Sequence, residues 1–112
     1  DIDKWEKWKM DIVSLISQVD YALLDGTFYS NSEVAYRNVE EIPHPLVTET
    51  LKLFEKLPIQ DKSKIYFIHL NHTNPLLNKS SEAFKTVVKK GFHVAEINMN
   101  FILIADELFS CI

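Results

Sequence analysis

Residues 65–68 (IYFI) form an uninterrupted apolar run that leads directly into a polar stretch, residues 69–74 (HLNHTN). Four consecutive apolar residues are typical of a strand covered on both faces, as in a parallel sheet, rather than of a strand with one wet face. The polar stretch brings His69, Asn71, His72 and Asn74 to the end of that strand. Because ligands of open parallel sheets bind at the carboxyl ends of the strands, we expect functional residues at this edge.

The spacing of apolar residues along the rest of the chain predicts alternating helices and strands. The predicted elements are a helix at residues 3–18, a strand at 19–24, a loop or short helical turn at 26–43, a helix at 45–57, a strand at 64–69, a helix at 81–90, and strands at 92–95 and 101–104 joined by a hairpin near Asn98. Pro45 suits a first helical turn, which places His44 at or near the N-cap. Ser80 and Gly91 are expected to bound the third helix. This order predicts an α/β fold.

The two central predicted strands and the helix between them form a crossover unit, so the strands should be parallel. Asp25 and His69 then lie at the same edge of the sheet, and His44 joins them because the intervening helix begins there. The first helix begins at this edge as well, with Asp1 or Asp3. The edge is also expected to hold Thr27, Asn71, His72 and Asn74.

Each of these residues also has a purely structural explanation. An Asp before Gly, such as Asp25, is a common turn former. His44 could be a plain N-cap, and an isolated His69 would more often be a core histidine than a ligand. Asn71 and Asn74 are expected to shape the loop by satisfying backbone groups. The grouping of His69 with His72 and two asparagines nevertheless favours a functional role for this edge of the sheet.

Composition narrows the class of protein. The chain has 112 residues, 46% of them hydrophobic and 25% charged, which suits one domain or part of one. The net charge of −4 argues against a nucleic-acid partner, and the basic residues Lys85, Lys89 and Lys90 are interpreted as a solvated helix face. No apolar run approaches the roughly 18 residues of a membrane span, and no leader is recognised.

Cys111 is the single cysteine, so an internal disulfide and a cysteine metal site are excluded. A lone thiol favours a reducing compartment, which predicts a cytoplasmic protein. The chain begins with Asp1 rather than Met, so we expect it to be the distal piece of something larger.

Four ordered motifs carry a family resemblance: LLDGTFY at residues 23–29, IPHP at 42–45, YFIHLNHTNPLL at 66–77 and GFHVA at 91–95. Together they resemble the C-terminal half of the pyrroloquinoline quinone biosynthesis protein B group, over roughly residues 1–97. That group belongs to the metallo-β-lactamase fold superfamily. The resemblance implies that residues 1–112 are a single partial domain, half of an αβ/βα sandwich with a mixed sheet.

The resemblance also implies roles for individual residues. His69 matches the last metal ligand, Asp1 is the best match for the bridging Asp, and Asp3 is the second choice. His44 matches a His that acts on the scissile phosphate in phosphodiester-cleaving relatives. Asp25 and His72 would orient the ligands. Zinc is the expected metal, with iron or manganese as alternatives.

This sequence differs from the family pattern in two places, which limits how far the family's residue roles apply to it. The superfamily's HxHxDH motif is absent from this chain, so at least half of the expected metal shell is missing. Leu24–Phe28 reads LDGTF where the tRNA-processing branch carries a His-Glu-Ala-Thr run, which argues against a tRNA endonuclease.

We therefore expect the C-terminal portion of a metal-dependent hydrolase, in which metal-activated water attacks an ester or phosphodiester bond of a small-molecule substrate. An iron-dependent oxygenation in pyrroloquinoline quinone synthesis is the first alternative. The second is a catalytically silent fragment that acts as an assembly module. The expected partner is the N-terminal half of the same fold or another copy of the chain, because half a sandwich leaves sheet surface unburied.

Overall fold

The computed structural model describes residues 4–5, 11–34, 43–96 and 109–111. Four parallel strands form one sheet in the order β3-β2-β1-β4, with β1 at Tyr21–Asp25, β2 at Ile65–Ile68, β3 at His93–Val94 and β4 at Phe109–Cys111. The predicted parallel pair is confirmed as β1 and β2, with Asp25 paired to Ile68 at the carboxyl edge. The strand predicted at residues 101–104 and the hairpin near Asn98 lie outside the described residues, so the predicted mixed sheet stays a prediction.

The helices are α1 at Ile12–Gln18, α2 at Val47–Leu53, α3 at Ile59–Lys62 and α4 at Glu82–Lys89, with short 3-10 turns at Asn31–Val34 and Pro75–Leu77. Helices and strands alternate along the chain, so the predicted α/β class is confirmed. Within the described ranges, every helix is too short or too polar to cross a membrane.

Three helix boundaries differ from prediction. The helix predicted at residues 3–18 is not continuous, because Asp11 has extended backbone (φ −77°, ψ 108°) and caps α1 by accepting the Val13 N–H at 3.0 Å. The helix predicted at 45–57 is shorter, since α2 spans only Val47–Leu53, and the short helix α3 that follows Pro58 was not predicted. Ser81, rather than Ser80, caps α4 by accepting the Phe84 N–H at 3.1 Å.

Of the two other predicted helix-end residues, Gly91 lies where it was predicted and His44 does not. Gly91 follows α4 with φ +98°, a left-handed value that glycine adopts without steric cost, as predicted for a residue just past a helix end. His44, however, is not the N-cap of α2. The cap is Leu46, whose N–H donates to the Glu49 carboxylate at 2.7 Å. The His44 side chain instead contacts Asp25.

One face of the sheet carries the core. Ala22, Leu24, Ile65, Phe67 and Val94 are all buried on that face and join side chains of α1, α2 and α4 in a single cluster. Each fully buried large apolar side chain contributes about 1.5–3 kcal/mol. The alternate residues Leu23, Tyr66, Ile68 and His93 are only partly buried and lie outside this cluster, with Tyr66 and His93 stacked at a ring-centroid distance of 4.6 Å. Among the described residues, the side chains on this second face of the sheet are therefore less buried than those on the core face.

Candidate functional site

The carboxyl ends of β1 and β2 meet at one edge, where Asp25 is the last residue of β1 and Ile68 is the last of β2. The Gly26 N–H donates to the Ile68 carbonyl at 2.7 Å and holds the two outgoing loops together. Gly26 is buried, and a Cβ there would lie 3.0 Å from the side chains of Phe67 and Leu70. A side chain at this position would therefore force its neighbours to shift.

Asp25 both shapes the turn and reaches across it. Its Oδ1 accepts hydrogen bonds from the Thr27 N–H at 2.8 Å and from the Thr27 hydroxyl at 2.6 Å. Its other oxygen, Oδ2, lies 2.5 Å from Nδ1 of His44, and only 6% of the Asp25 side chain is exposed. Asp25 therefore forms the predicted turn and also contacts His44, while its functional role stays a prediction.

His44 approaches this carboxylate from the segment that precedes α2. That segment is fixed because the N–H groups of Val47 and Thr48 donate to the carbonyls of Phe28 and Tyr29, at 2.9 and 3.0 Å. The Phe28 ring packs edge-on against the imidazole, with ring centroids 6.1 Å apart. The His44 side chain keeps 23% of its surface exposed. An anchored imidazole with one edge open to solvent is suited to proton transfer.

The carboxylate determines which nitrogen of His44 is open. An ionised carboxylate only accepts hydrogen bonds, so Nδ1 donates to Asp25. In the neutral ring, Nε2 then carries the free lone pair. Asp25 thus orients His44 and fixes its tautomer, as carboxylates do for histidines in metal sites and catalytic triads.

His69 follows β2 directly and has φ +61°, the one left-handed non-glycine residue in the described part of the chain. That conformation costs roughly 1–2 kcal/mol for a residue with a Cβ. Its side chain is exposed, as is that of His72. Backbone strain of this kind concentrates at functional sites, so His69 keeps its place as a candidate ligand at the edge.

Asn74 connects the β2 loop to the β1 turn, as predicted for a loop-shaping residue. Its Nδ2 donates to the carbonyls of Gly26 and Thr27, at 2.6 and 3.2 Å, and its Oδ1 accepts the Leu76 N–H at 2.9 Å. The Asn71 N–H donates to the Thr27 carbonyl at 2.9 Å. The asparagines thereby position the backbone on which Asp25 sits.

Glu33 is a positioning residue that the sequence prediction missed. Its Oε2 accepts the N–H groups of Tyr29 and Ser30, at 2.5 and 3.1 Å, and its Oε1 accepts the Thr73 hydroxyl at 2.9 Å. The Ser30-x-x-Glu33 spacing is a capping-box pattern at the first 3-10 turn, and that pattern was the available signal.

The structure thus brings Asp25, Thr27 and His44 into direct contact, while His69 and His72 reach the same edge without touching that group. Across the described ranges, no three His, Cys, Asp or Glu side chains are grouped closely enough to hold a metal ion. Asp1 and Asp3, the other ligand candidates, lie outside the described residues.

No family model matches the chain. It is similar to coenzyme PQQ synthesis protein B from several bacteria. The protein from Methylobacillus flagellatus is 27% identical over 95 residues, which is 80% of this chain and 31% of that protein. The protein from Pseudomonas fluorescens is 29% identical, over 82% of this chain and 32% of that protein. The protein from Acinetobacter baylyi is 32% identical, over 62% of this chain and 25% of that protein.

These relatives confirm the resemblance that the four motifs predicted. The chain spans about a third of the length of the Methylobacillus and Pseudomonas relatives.

Proposed function

We propose that this chain supplies the proton-transfer group of a metal-dependent hydrolase that acts on an ester or phosphodiester bond, in a protein related to coenzyme PQQ synthesis protein B. The observation that carries the proposal is the 2.5 Å contact between Asp25 Oδ2 and His44 Nδ1 at the edge where β1 and β2 end. Substrates of parallel-sheet enzymes bind at this edge. A buried carboxylate that orients a partly exposed imidazole is a recurring acid–base arrangement.

In this proposal, His44 acts through Nε2. The nitrogen accepts a proton from the attacking water and returns it to the leaving oxygen. Asp25 keeps Nδ1 engaged and stabilises the imidazolium while the proton is held. General acid–base help of this kind contributes about 10²–10⁴ in rate.

The metal would be held only in part by this chain. His69 is the one described residue that we assign as a ligand, because it is exposed, strained and next to the Asp25–His44 pair in the strand register. Asp25 and His44 are already hydrogen-bonded to each other, and the described side chains form no three-ligand group. Tight zinc sites use three or four protein ligands, so Asp1 and residues beyond those described would complete the shell.

A partner for the less covered sheet face is part of the same proposal. Leu23 and Ile68 are apolar, partly exposed and separate from the core cluster. The relatives are about three times as long as this chain. We propose that a second half of the fold, or another copy of the chain, packs on this face. Sedimentation velocity should then give a particle larger than 13.0 kDa, and a clean monomer with a cooperative melt would contradict this part of the proposal.

A second candidate function rests on the relatives. Their shared name ties them to synthesis of coenzyme PQQ, so an iron-dependent oxygenation in that pathway is the alternative. The two reactions differ in their use of dioxygen. Oxygen uptake by the iron-loaded protein, without ester or phosphodiester cleavage, would favour the alternative.

The test uses the complete protein that contains this chain. Metal content by elemental analysis and hydrolytic turnover are measured for the His44→Ala, His69→Ala and His72→Ala variants. His93→Ala is the matched control, because His93 stacks on Tyr66 two rows from the edge.

His44→Ala should keep the metal and lower kcat by about 10²–10⁴. His69→Ala should lose metal and activity together. His72→Ala should lower metal affinity or the reaction rate about 10- to 100-fold. If His44→Ala removes the metal and His69→Ala keeps it, the two assignments are exchanged. If all three variants keep metal and activity, the edge is not the site.

A further inference from the structure

A second concave surface lies between α2 and α4, beside Tyr29. It is an open groove of about 350 Å³, lined by Tyr29, Thr48, Leu51, Lys52, Glu55, Thr86 and Lys90. Pockets for small molecules typically begin at about 300 Å³. We call this surface the Tyr29 pocket.

The Tyr29 pocket has an apolar floor and polar walls. Leu51 is 6% exposed, and the Tyr29 ring packs against the core cluster, so both offer a fixed apolar surface. Burial raises the pKa of the Tyr29 phenol, and its hydrogen bond with Thr86 offsets part of that rise. The phenol therefore stays protonated at neutral pH and keeps a donor at the pocket wall.

The charges of the Tyr29 pocket are unevenly balanced. Lys52 and Lys90 are two cations against the single carboxylate of Glu55, which gives a formal surplus of one positive charge in a chain of net charge −4. Lys64, Lys79 and Lys85 all have acidic partners. Lys52 and Lys90 have no ion-pair partner within the described ranges, so their ammonium groups are available to a ligand.

From this arrangement we infer that the Tyr29 pocket binds a small organic carboxylate whose apolar or aromatic body lies on Tyr29 and Leu51. The carboxylate would contact the two lysines. One surplus positive charge matches a singly charged anion, and Glu55 would repel a doubly charged phosphate. The site goes beyond the proposed function, because none of its lining residues belongs to the Asp25–His44 pair.

The probe is benzoate, titrated into the full chain and followed by backbone amide chemical shifts. Benzamide, which has the same ring and no charge, is the matched ligand, and inorganic phosphate is the competing anion. Benzoate should shift the amides of Thr48, Lys52 and Thr86 and should bind more tightly than either comparison compound. Equal binding of benzamide, tighter binding of phosphate, or shifts confined to the Asp25 turn would overturn the inference.

Charge variants separate ligand contacts from effects on the fold. Lys52→Gln and Lys90→Gln should each weaken benzoate binding about two- to five-fold, the range expected for charge pairs partly open to water. Lys56→Gln and Lys89→Gln are matched controls, since these neighbouring exposed lysines do not line the pocket. Glu55→Gln should strengthen benzoate binding.

Lys52 and Lys90 also lie at the ends of α2 and α4, where cations stabilise helix carbonyls. A lower Tm in the two variants with unchanged benzoate affinity would assign the lysines to the helix ends alone and overturn the inference. His44→Ala should leave benzoate binding unchanged, so the result does not depend on the proposed hydrolase.

Discussion

Replacing Asn74 with Ala should destabilise the fold far more than the same change at Asn78. Both asparagines accept a backbone N–H two residues ahead at 2.9 Å, from Leu76 and Ser80 respectively. Asn78 is exposed, so water replaces its bond. Asn74 is 3% exposed, and its Nδ2 also bonds the Gly26 carbonyl at 2.6 Å.

The magnitude follows from the groups left without partners. In Asn74→Ala, the buried Gly26 carbonyl and the buried Leu76 N–H both lose their bonds, at about 1–3 kcal/mol each. The Thr27 carbonyl keeps the Asn71 N–H at 2.9 Å and adds little. We therefore expect a loss of about 2–6 kcal/mol for Asn74→Ala and about 0.5–1 kcal/mol for Asn78→Ala.

Urea unfolding of the two variants and the parent chain measures both losses, with the slope m checked for constancy. If the free energies of unfolding fall equally in the two variants, the bonds between the loops do not stabilise the structure. The explanation of how the β2 loop positions the Asp25 turn would then be wrong.

Three further predictions concern the same region. Gly26→Ala should lower stability by about 1–3 kcal/mol in thermal unfolding, because the new Cβ would lie 3.0 Å from Phe67 Cβ and from the Leu70 side chain; an unchanged Tm would refute the close approach. His69→Gly should raise stability by about 0.5–1 kcal/mol, since relief of the left-handed strain exceeds the extra freedom of glycine in the unfolded chain; a loss of stability would mean that the imidazole makes a stabilising contact. Stability should fall as pH rises above about 10, because Tyr29 ionises more readily in the unfolded chain than in the folded one, where partial burial of its phenol raises its pKa. Urea midpoints measured between about pH 8 and pH 11 for the parent and Tyr29→Phe check this, and equal slopes would contradict it.

The sequence predicted the parallel pair of β1 and β2 because an apolar run and a crossover helix are local signals. It did not predict β4, since Phe109–Cys111 pairs with Tyr21–Leu23 across most of the chain and no short window carries that information. Asp11 was a visible N-cap signal that the broader helical periodicity masked. Boundaries were therefore less predictable than the existence and type of the elements.

The location of the candidate site was predictable from the sequence, but the contacts within it were not. Chain order placed Asp25, His44 and His69 at one edge, because the carboxyl ends of parallel strands converge. Chain order could not predict that Leu46 is the N-cap of α2 and that His44 contacts Asp25, since the long loop before His44 has no periodicity. The left-handed backbone of His69 was also invisible, because residue type alone rarely specifies φ in a non-glycine residue.

The most direct test of the acid–base pair is the tautomer of His44, read from the two-bond ¹H–¹⁵N correlation spectrum of the imidazole rings. With Asp25 holding Nδ1, the neutral ring should carry its proton on Nδ1 and leave Nε2 bare, and Asp25→Ala should abolish that preference. A His44 ring with its proton on Nε2 and a bare Nδ1, or one unchanged by Asp25→Ala, would contradict the orientation on which the proposed proton transfer depends.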